Sequence, residues 1–307
     1  MMKYKYILIF ALITLSVKPV FAQLSQQEEM ELRIKQDSLK VLSEEMINAY
    51  DRKQKLQATN DFIPALVEAL KIRHSFSFSF DSLEEVSILY NKEKSFRIFT
   101  WAIALAKYQY RFYGAIQKKT KDGNLELYAL FDNSFFTKNK DTIGGSKSWQ
   151  GALYYNLIEE EFKNKKYYTL IGWAGKNLKT QSKVLDVLTF VNGTPRFGAP
   201  IFDLTKKHGS PHLQNRFFLV YKSEAKVELN YNQEMDLIVY DHLTSLTNHA
   251  EDSSSLVPDG TYSGFQWKNG KWEYLDKIFS DSTNNEEAPR PHPMKFNNPI
   301  EGNKSKP

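Results

Sequence analysis

The spacing of apolar residues changes near residue 86, and this change predicts how the chain is organised. Before that point apolar residues recur every three, four and seven positions, the period of an amphipathic helix. Residues 25–57 are predicted to form one helix, opened by Ser25 and Glu28 in capping-box spacing. Residues 61–73 are predicted to form a second helix, capped by Asp61 and with Pro64 in its first turn.

After residue 86 the period becomes two, which is typical of strands with one buried face. Val227, Leu229 and Tyr231 alternate with polar neighbours, and the apolar run from Val184 to Val191 predicts a central strand. About a dozen such runs follow one another without a helix-length segment. The predicted fold class is therefore α+β, mainly antiparallel β: two N-terminal helices followed by a long meander that forms a barrel, a sandwich or propeller-like blades.

Three turn signals predict hairpins within this meander: Asp122-Gly123, Asn192-Gly193 and Asn269-Gly270. Asn or Asp followed by Gly favours a two-residue type I′ turn, because both central residues need positive φ. A two-residue loop at Asn269-Gly270 places Trp267 opposite Trp272. Around Asp122-Gly123 the same logic places Lys119 opposite Glu126.

The two ends of the chain differ from the predicted domain. Lys3 and Lys5 precede an apolar stretch from Ile7 to Val17 and a small-x-small site at Val20-Phe21-Ala22. This pattern predicts a cleavable signal peptide over residues 1–22. The predicted divisions that follow are a helical region at 23–75, an antiparallel β domain at 86–280 and a disordered, Pro-rich tail at 281–307.

Composition restricts the classes of function. The chain has 41 basic and 36 acidic residues, but three lysines belong to the signal, which leaves 38 against 36. A mature chain so close to neutral predicts no nucleic-acid partner. The absence of cysteine excludes disulfides, thiolate catalysis and zinc-thiolate sites. No later segment is long and apolar enough for a membrane span, and a periplasmic or secreted location is expected.

Candidate catalytic residues are few. Asp241 and His242 adjoin an apolar run, but strand neighbours point to opposite faces, so His242 would need another partner to act as a base. Asp259 lies in a Pro-Asp-Gly turn. His208 and His212 share one loop and are weak candidates for a metal site, which would need a third ligand. No cofactor is predicted.

Aromatic residues offer a candidate ligand-binding face. Trp101, Tyr113 and Trp173 lie on predicted strands, and exposed rings can stack on sugars. The alternative interpretation is a β core filled by rings. Under the first interpretation the partner is a glycan.

Five segments then suggest a relationship, and their order and spacing are characteristic: Phe96–Trp101, Leu170–Trp173, Arg196–Phe202, Ile238–Leu243 and Pro258–Tyr262. The chain resembles an uncharacterised family of exported bacterial proteins over residues 86–279. The resemblance implies export and a β-rich domain but no activity. The family pattern has an acid after each of the first two tryptophans, where this chain has Ala102 and Ala174.

These observations favour a non-catalytic binding or structural module of the bacterial envelope, whose partner is a glycan or an envelope protein. The alternatives are a hydrolase acting on envelope or imported polymer, through Asp241, His242, His208 or Asp259, and a barrel that holds an apolar ligand.

The signal peptide gives a direct prediction. Protein recovered from the periplasm or medium should begin at Gln23 when its N-terminus is sequenced. Ala22→Lys should block processing, because signal peptidase needs a small residue before the cut, whereas Phe21→Tyr should leave it unchanged. Recovery of an uncut chain beginning at Met1 would contradict the interpretation.

Overall fold

The structure is a computed structural model that describes residues 24–280, apart from residues 108, 138, 176, 210–212, 248 and 250. The predicted signal peptide and tail lie outside the described residues. The elements, in chain order, are α1 (Gln26–Asn48), α2 (Arg52–Lys71), β1 (Ser87–Tyr90), β2 (Phe96–Ala106), β3 (Gln109–Lys118), β4 (Glu126–Phe131), β5 (Gly144–Gly145), β6 (Leu153–Phe162), β7 (Lys165–Trp173), β8 (Thr180–Val191), β9 (Thr194–Phe197), β10 (Phe202–Asp203), α3 (Thr205–His208), β11 (Leu213–Gln214), β12 (Phe217–Lys222), β13 (Leu229–Asn232), β14 (Leu237–Ser245), β15 (Leu256–Lys268) and β16 (Lys271–Ser280). Two helices followed by antiparallel sheets confirm the predicted fold class.

The predicted helix over 25–57 is wrong in its extent, because it is two helices. The Ser25–Glu28 capping box is present, with both reciprocal hydrogen bonds. The chain leaves helical geometry at Ala49, and Asp51 caps α2 by accepting a hydrogen bond from the Gln54 backbone N–H at 2.9 Å. Asp51 therefore performs the role that the sequence analysis assigned to Asp61, and Pro64 lies inside α2 instead of in its first turn.

The strands form three sheets. The first sheet is the meander β1-β2-β3-β4. The second sheet has the order β5-β9-β8-β7-β6, with β12 paired to the first half of β8. The third sheet has the order β11-β10-β16-β15-β14-β13. All strand pairs are antiparallel except β10–β16, where Phe202 lies beside Trp272 in parallel register.

The side chains of alternate residues show that these sheets are stacked. In β2, Phe99 and Trp101 pack against the buried stripe of α1 and α2, whereas Ile98 packs against the second sheet. In β8, Leu188 faces the first sheet and Leu185 faces the third sheet. The molecule is therefore a helical layer followed by three sheet layers, and the first two sheets are covered on both faces. The described sheets do not close into a barrel, so the predicted apolar-ligand barrel is wrong: the space between sheets is filled with side chains.

Two of the predicted hairpins are confirmed. Asn269 and Gly270 both have positive φ, at 51° and 81°, and Trp267 pairs with Trp272 across the turn. Their rings meet edge to face with centroids 5.3 Å apart. Asn192 and Gly193 connect β8 and β9 in the same way.

The third predicted hairpin is out of register by one residue. Lys118, not Lys119, pairs with Glu126, and their Nζ and Oε1 atoms are 2.8 Å apart. The connection is a longer loop because contacts from the end of α2 hold it. Arg73 Nε donates to the Asp122 carbonyl at 2.8 Å, and the backbone N–H of His74 donates to the Gly123 carbonyl at 2.9 Å.

A buried polar network crosses the second sheet. Arg216 Nε lies 2.9 Å from Asp186 Oδ1, and both side chains are almost completely excluded from solvent. The Tyr154 hydroxyl donates to Asp186 Oδ2 at 3.0 Å, and Trp149 Nε1 donates to Tyr154 at 2.9 Å. Burial and the adjacent carboxylate raise the pKa of Tyr154, so the phenol remains a donor. The network gives each charge a partner within a layer that water does not reach.

The same arginine anchors the long connection over residues 132–148. Arg216 Nη1 donates to the carbonyls of Lys140 and Thr142. The Asp141 carboxylate accepts from the backbone N–H of Asn215 at 2.6 Å and of Arg216 at 3.1 Å. This loop is longer than a meander requires because it supplies oxygen acceptors to a buried guanidinium.

Removing the charge of Asp186 should destabilise the fold strongly. Asp186→Asn keeps the shape of the side chain but leaves the Arg216 guanidinium buried without a counter-charge, which should cost about 3–5 kcal/mol. Guanidinium chloride unfolding at pH 7 measures the difference. Glu44→Gln is the control, because it breaks the exposed Lys40–Glu44 pair and should cost less than about 1 kcal/mol. Equal losses of unfolding free energy in the two variants would contradict the stabilising role given to the buried Asp186–Arg216 pair.

Candidate functional site

The aromatic residues predicted to stack on a ligand lie mainly in the core. Trp101 is 3 % exposed, stacks on Tyr113 with centroids 5.6 Å apart, and meets Phe62 edge-on. Trp173 is 8 % exposed, contacts Tyr110, and donates from Nε1 to another buried side chain. Because a stacking platform needs an accessible ring face, these tryptophans pack the layers together and do not present a binding surface.

The two histidines predicted as metal ligands fall largely outside what the structure describes. The backbone of His208 ends the one-turn helix α3, and its side chain and the whole of His212 are not among the described positions. Asp203, which is close to them in sequence, is paired with Lys271, with Nζ and Oδ2 2.5 Å apart. Hydrogen bonds from Lys271 and Thr205 lower the pKa of Asp203 to about 2. Among the residues that the structure describes, no group of three or more His, Asp or Glu side chains is placed to hold a metal ion.

Two of the candidate catalytic residues do meet. His242 Nδ1 lies 2.8 Å from Asp259 Oδ2, with side chains 26 % and 20 % exposed. The β14–β15 register shifts after Asp241, so that residues 259–261 bulge opposite His242. Burial acts to raise the pKa of Asp259. Hydrogen bonds from Thr261 and His242 outweigh this effect and hold that pKa below its usual range.

Asp241 takes a different role from His242. Its carboxylate accepts a hydrogen bond from the Glu228 backbone N–H at 2.6 Å, and so links the start of β13 to β14. The sequence placed Asp241 and His242 on opposite faces but did not identify Asp259 as the histidine's partner, because the bulge that joins them is a property of the strand pairing.

A groove that sequence reasoning did not identify lies at one end of the first sheet. It has a volume of about 1340 Å³. Its walls are the first half of α1, the segment 74–82, the β1–β2 turn at 93–95 and the loop at 119–124. Of its twenty lining residues, eight carry hydroxyl or amide side chains and seven carry charged ones, and the half-buried ring of Phe76 adds apolar surface. These segments are far apart in sequence, and only the packing of the helical layer on the first sheet brings them together.

The groove contains unusual backbone geometry. His74, Phe80 and Lys94 all have φ between 49° and 61°, the left-handed region that bulky residues rarely adopt. At Phe80 tight packing accompanies this geometry, since its ring meets Phe78 edge to face with centroids 4.9 Å apart. Strain of this kind is concentrated at functional sites more often than elsewhere.

A buried cation supports the groove from below. Arg97 is fully buried, and its guanidinium donates to the carbonyls of Ser75 and Phe78 and to the side chains of Tyr90 and Gln117. Four rings surround it at 4.8–5.7 Å from their centroids: Phe76, Phe80, Tyr90 and Phe99. Burial lowers the pKa of Arg97. Because this arginine joins the 74–82 segment to β2, it fixes the floor of the groove.

Another polar position lies between the second and third sheets. Lys183 projects towards the third sheet from β8, with its Nζ 5.0 Å from the centre of the Tyr155 ring. Burial lowers the pKa of Lys183 to about 8, and the charges of Glu228 and Asp241 only partly oppose this shift. The lysine is thus a partly buried amine that binds its proton more weakly than an exposed lysine does.

Comparisons of this chain with protein-family models, with curated proteins and with solved structures found no match. The family resemblance drawn from the five segments stays a prediction. Over the described residues, no helix combines the length and the apolar character that a membrane crossing requires.

The lowered pKa of Lys183 predicts that the free energy of unfolding depends on pH. The folded-state pKa of about 8 lies below the ordinary value of 10.5, so the unfolded chain binds the proton more tightly between these values. Wild-type stability should therefore rise as pH increases from about 8 to 10.5. Lys183→Met should stabilise the protein by roughly 1–3 kcal/mol at pH 7, and the gain should shrink as pH approaches 10.5.

Urea unfolding at pH 7 and pH 10 measures this gain. Lys226→Met removes an exposed lysine and should change stability by less than about 0.5 kcal/mol at either pH. A gain for Lys183→Met that is the same at both pH values would show that packing, and not charge burial, is responsible.

Proposed function

We infer that this chain is an exported binding module of the bacterial envelope, and that the groove at the end of the first sheet holds a polar polymer, namely a glycan. The signal-peptide pattern and the family resemblance support export. The groove is the observation that carries the binding function, because it is large, combines hydroxyl, amide and charged side chains with apolar surface, and is built on a floor that Arg97 holds.

The lining supports a glycan more than an apolar ligand. Ser77, Ser79, Ser95, Thr120 and Asn124 supply side-chain oxygens that can accept hydrogen bonds from sugar hydroxyls. The hydroxyls of Ser79, Ser95 and Thr120 already donate within the protein. The Phe76 ring supplies the apolar surface that one face of a sugar ring can cover. The Arg97 framework keeps these groups in place, which reduces the entropy lost on binding.

A second candidate function follows from the His242–Asp259 pair. A carboxylate bound to Nδ1 fixes the tautomer of the imidazole and leaves Nε2 as the basic nitrogen, able to take a proton from an attacking water. This geometry favours a hydrolase acting on envelope or imported polymer. It is supported by one pair of side chains, whereas the binding function is supported by a complete groove.

Binding in the groove can be tested by affinity electrophoresis of the mature protein in gels that contain soluble neutral or anionic polysaccharide. At least one polymer should retard the protein. Ser77→Trp should abolish the retardation, because the indole would occupy the groove, whereas Ser38→Trp on the exposed face of α1 should not.

Incubating the protein with the same polysaccharides in solution separates the binding function from the hydrolase function. Release of reducing ends by the wild type, and its loss in His242→Asn, would favour the hydrolase. Retardation that Ser77→Trp leaves unchanged, or that none of the polymers produces, would contradict the glycan-binding groove. In that case capture of an envelope protein from extract would identify the other class of partner.

A further inference from the structure

The charges around the groove are not distributed evenly. Three exposed lysines line it, and all three belong to the wall formed by the two turns of the first sheet: Lys94, Lys119 and Lys121. No described carboxylate lies within 4 Å of any of their amino groups. This wall therefore presents positive charge that has no ion-pair partner in the described part of the chain.

Most acids that line the groove are already engaged. Glu29 pairs with Arg33 on α1, with Oε1 and Nη2 2.6 Å apart. Glu93 pairs with Lys166, which projects from β7 and also pairs with Glu159. The Asp81 carboxylate accepts a hydrogen bond from the neutral Ser79 hydroxyl at 2.6 Å and has no ion-pair partner among the described residues. Four cationic and three acidic side chains line the groove, and outside the Glu29 and Glu93 ion pairs three lysines remain against the one carboxylate of Asp81.

The backbone fixes the positions of the lysines. The Lys119 backbone N–H donates to the Ser95 carbonyl at 2.8 Å, so the two turns are joined side by side. The Asn91 side-chain oxygen accepts from the Ser95 N–H at 2.8 Å and closes the turn that places Lys94. Thr120 Oγ1 donates to the Asn124 carbonyl at 2.6 Å and shapes the loop that carries Lys121.

We propose that the groove selects glycans that carry carboxylate or phosphate groups, and that Lys94, Lys119 and Lys121 bind those anions. This proposal rests on the proposed glycan-binding function and adds the chemical class of its ligand. The hydroxyl-rich lining contacts the sugar units. The lysine wall supplies the selectivity, because a neutral polymer gains nothing from it.

Affinity electrophoresis with three probes tests the proposal: polygalacturonate for carboxylate, poly(glycerol phosphate) for phosphate, and dextran as the neutral polymer. At low ionic strength at least one anionic probe should bind more tightly than dextran. The triple variant Lys94→Ala, Lys119→Ala, Lys121→Ala should weaken that binding about tenfold and leave dextran retardation unchanged. Salt should weaken binding of the wild type more than that of the variant.

The matched control removes three exposed lysines that lie outside the groove, by Lys53→Ala, Lys226→Ala and Lys268→Ala. It has the same net charge as the test variant and should keep wild-type affinity, which separates local contacts from overall charge. Thermal unfolding should confirm that both variants are folded.

The outcomes distinguish the selectivity from the binding function. If dextran binds in the groove as tightly as the anionic probes, or if the groove and control variants lose equal affinity, the lysine proposal is overturned and the glycan-binding function stands. If no probe is retarded, both are overturned. Retention of full anionic affinity by the groove variant also overturns the lysine proposal.

Discussion

The covering of the second sheet on both faces is the constraint from which most other features follow. A layer without access to water cannot leave a charge or a donor unsatisfied without a large penalty. This explains why Asp186 is paired with Arg216 and bonded to Tyr154, and why the 132–148 connection runs back to supply carbonyl acceptors. The long loop thus helps to stabilise the buried charge of Arg216.

The first sheet follows the same constraint with a different solution. Arg97 lies between that sheet and the 74–82 segment. It is held by carbonyl oxygens, by Tyr90 and Gln117, and by aromatic faces, and no described carboxylate bonds to it. Because neutral groups alone hold Arg97, its burial below the groove does not require an acidic residue in the groove as a partner. The net charge of the groove is therefore set by the side chains of its walls, which include the three lysines.

Local patterns predicted a large part of this fold, and non-local contacts explain the rest. The capping box at Ser25 and the turns at Asn192 and Asn269 depend on a few neighbouring residues, so the sequence was sufficient for them. The break at Ala49 was missed because the apolar stripe continues across it into α2. The one-residue error at Lys119 arose because Arg73 holds the Asp122 loop from another element, which period and turn residues do not reveal.

The candidate sites were harder to predict for the same reason. His242 and Asp259 were singled out separately, but only a bulge in strand pairing brings them together. The groove draws on four segments between residues 24 and 124, and its residues are common surface types with no motif. The sequence shows that aromatic residues are frequent on the predicted strands. Their frequency fits both an exposed ligand-binding face and a hydrophobic core filled by rings. Only the burial of each ring in the structure distinguishes these two interpretations.

The single parallel pairing has a consequence for how the molecule is made. β16 is the last described strand, but it lies inside the third sheet, between β10 and β15, and the Trp272 N–H donates to the Ile201 carbonyl at 2.7 Å. A chain that emerges N-terminus first can assemble its helical layer and first sheet early. The third sheet keeps two open strand edges, on β10 and β15, until β16 has been made, and these edges are exposed to pairing with other chains in that interval.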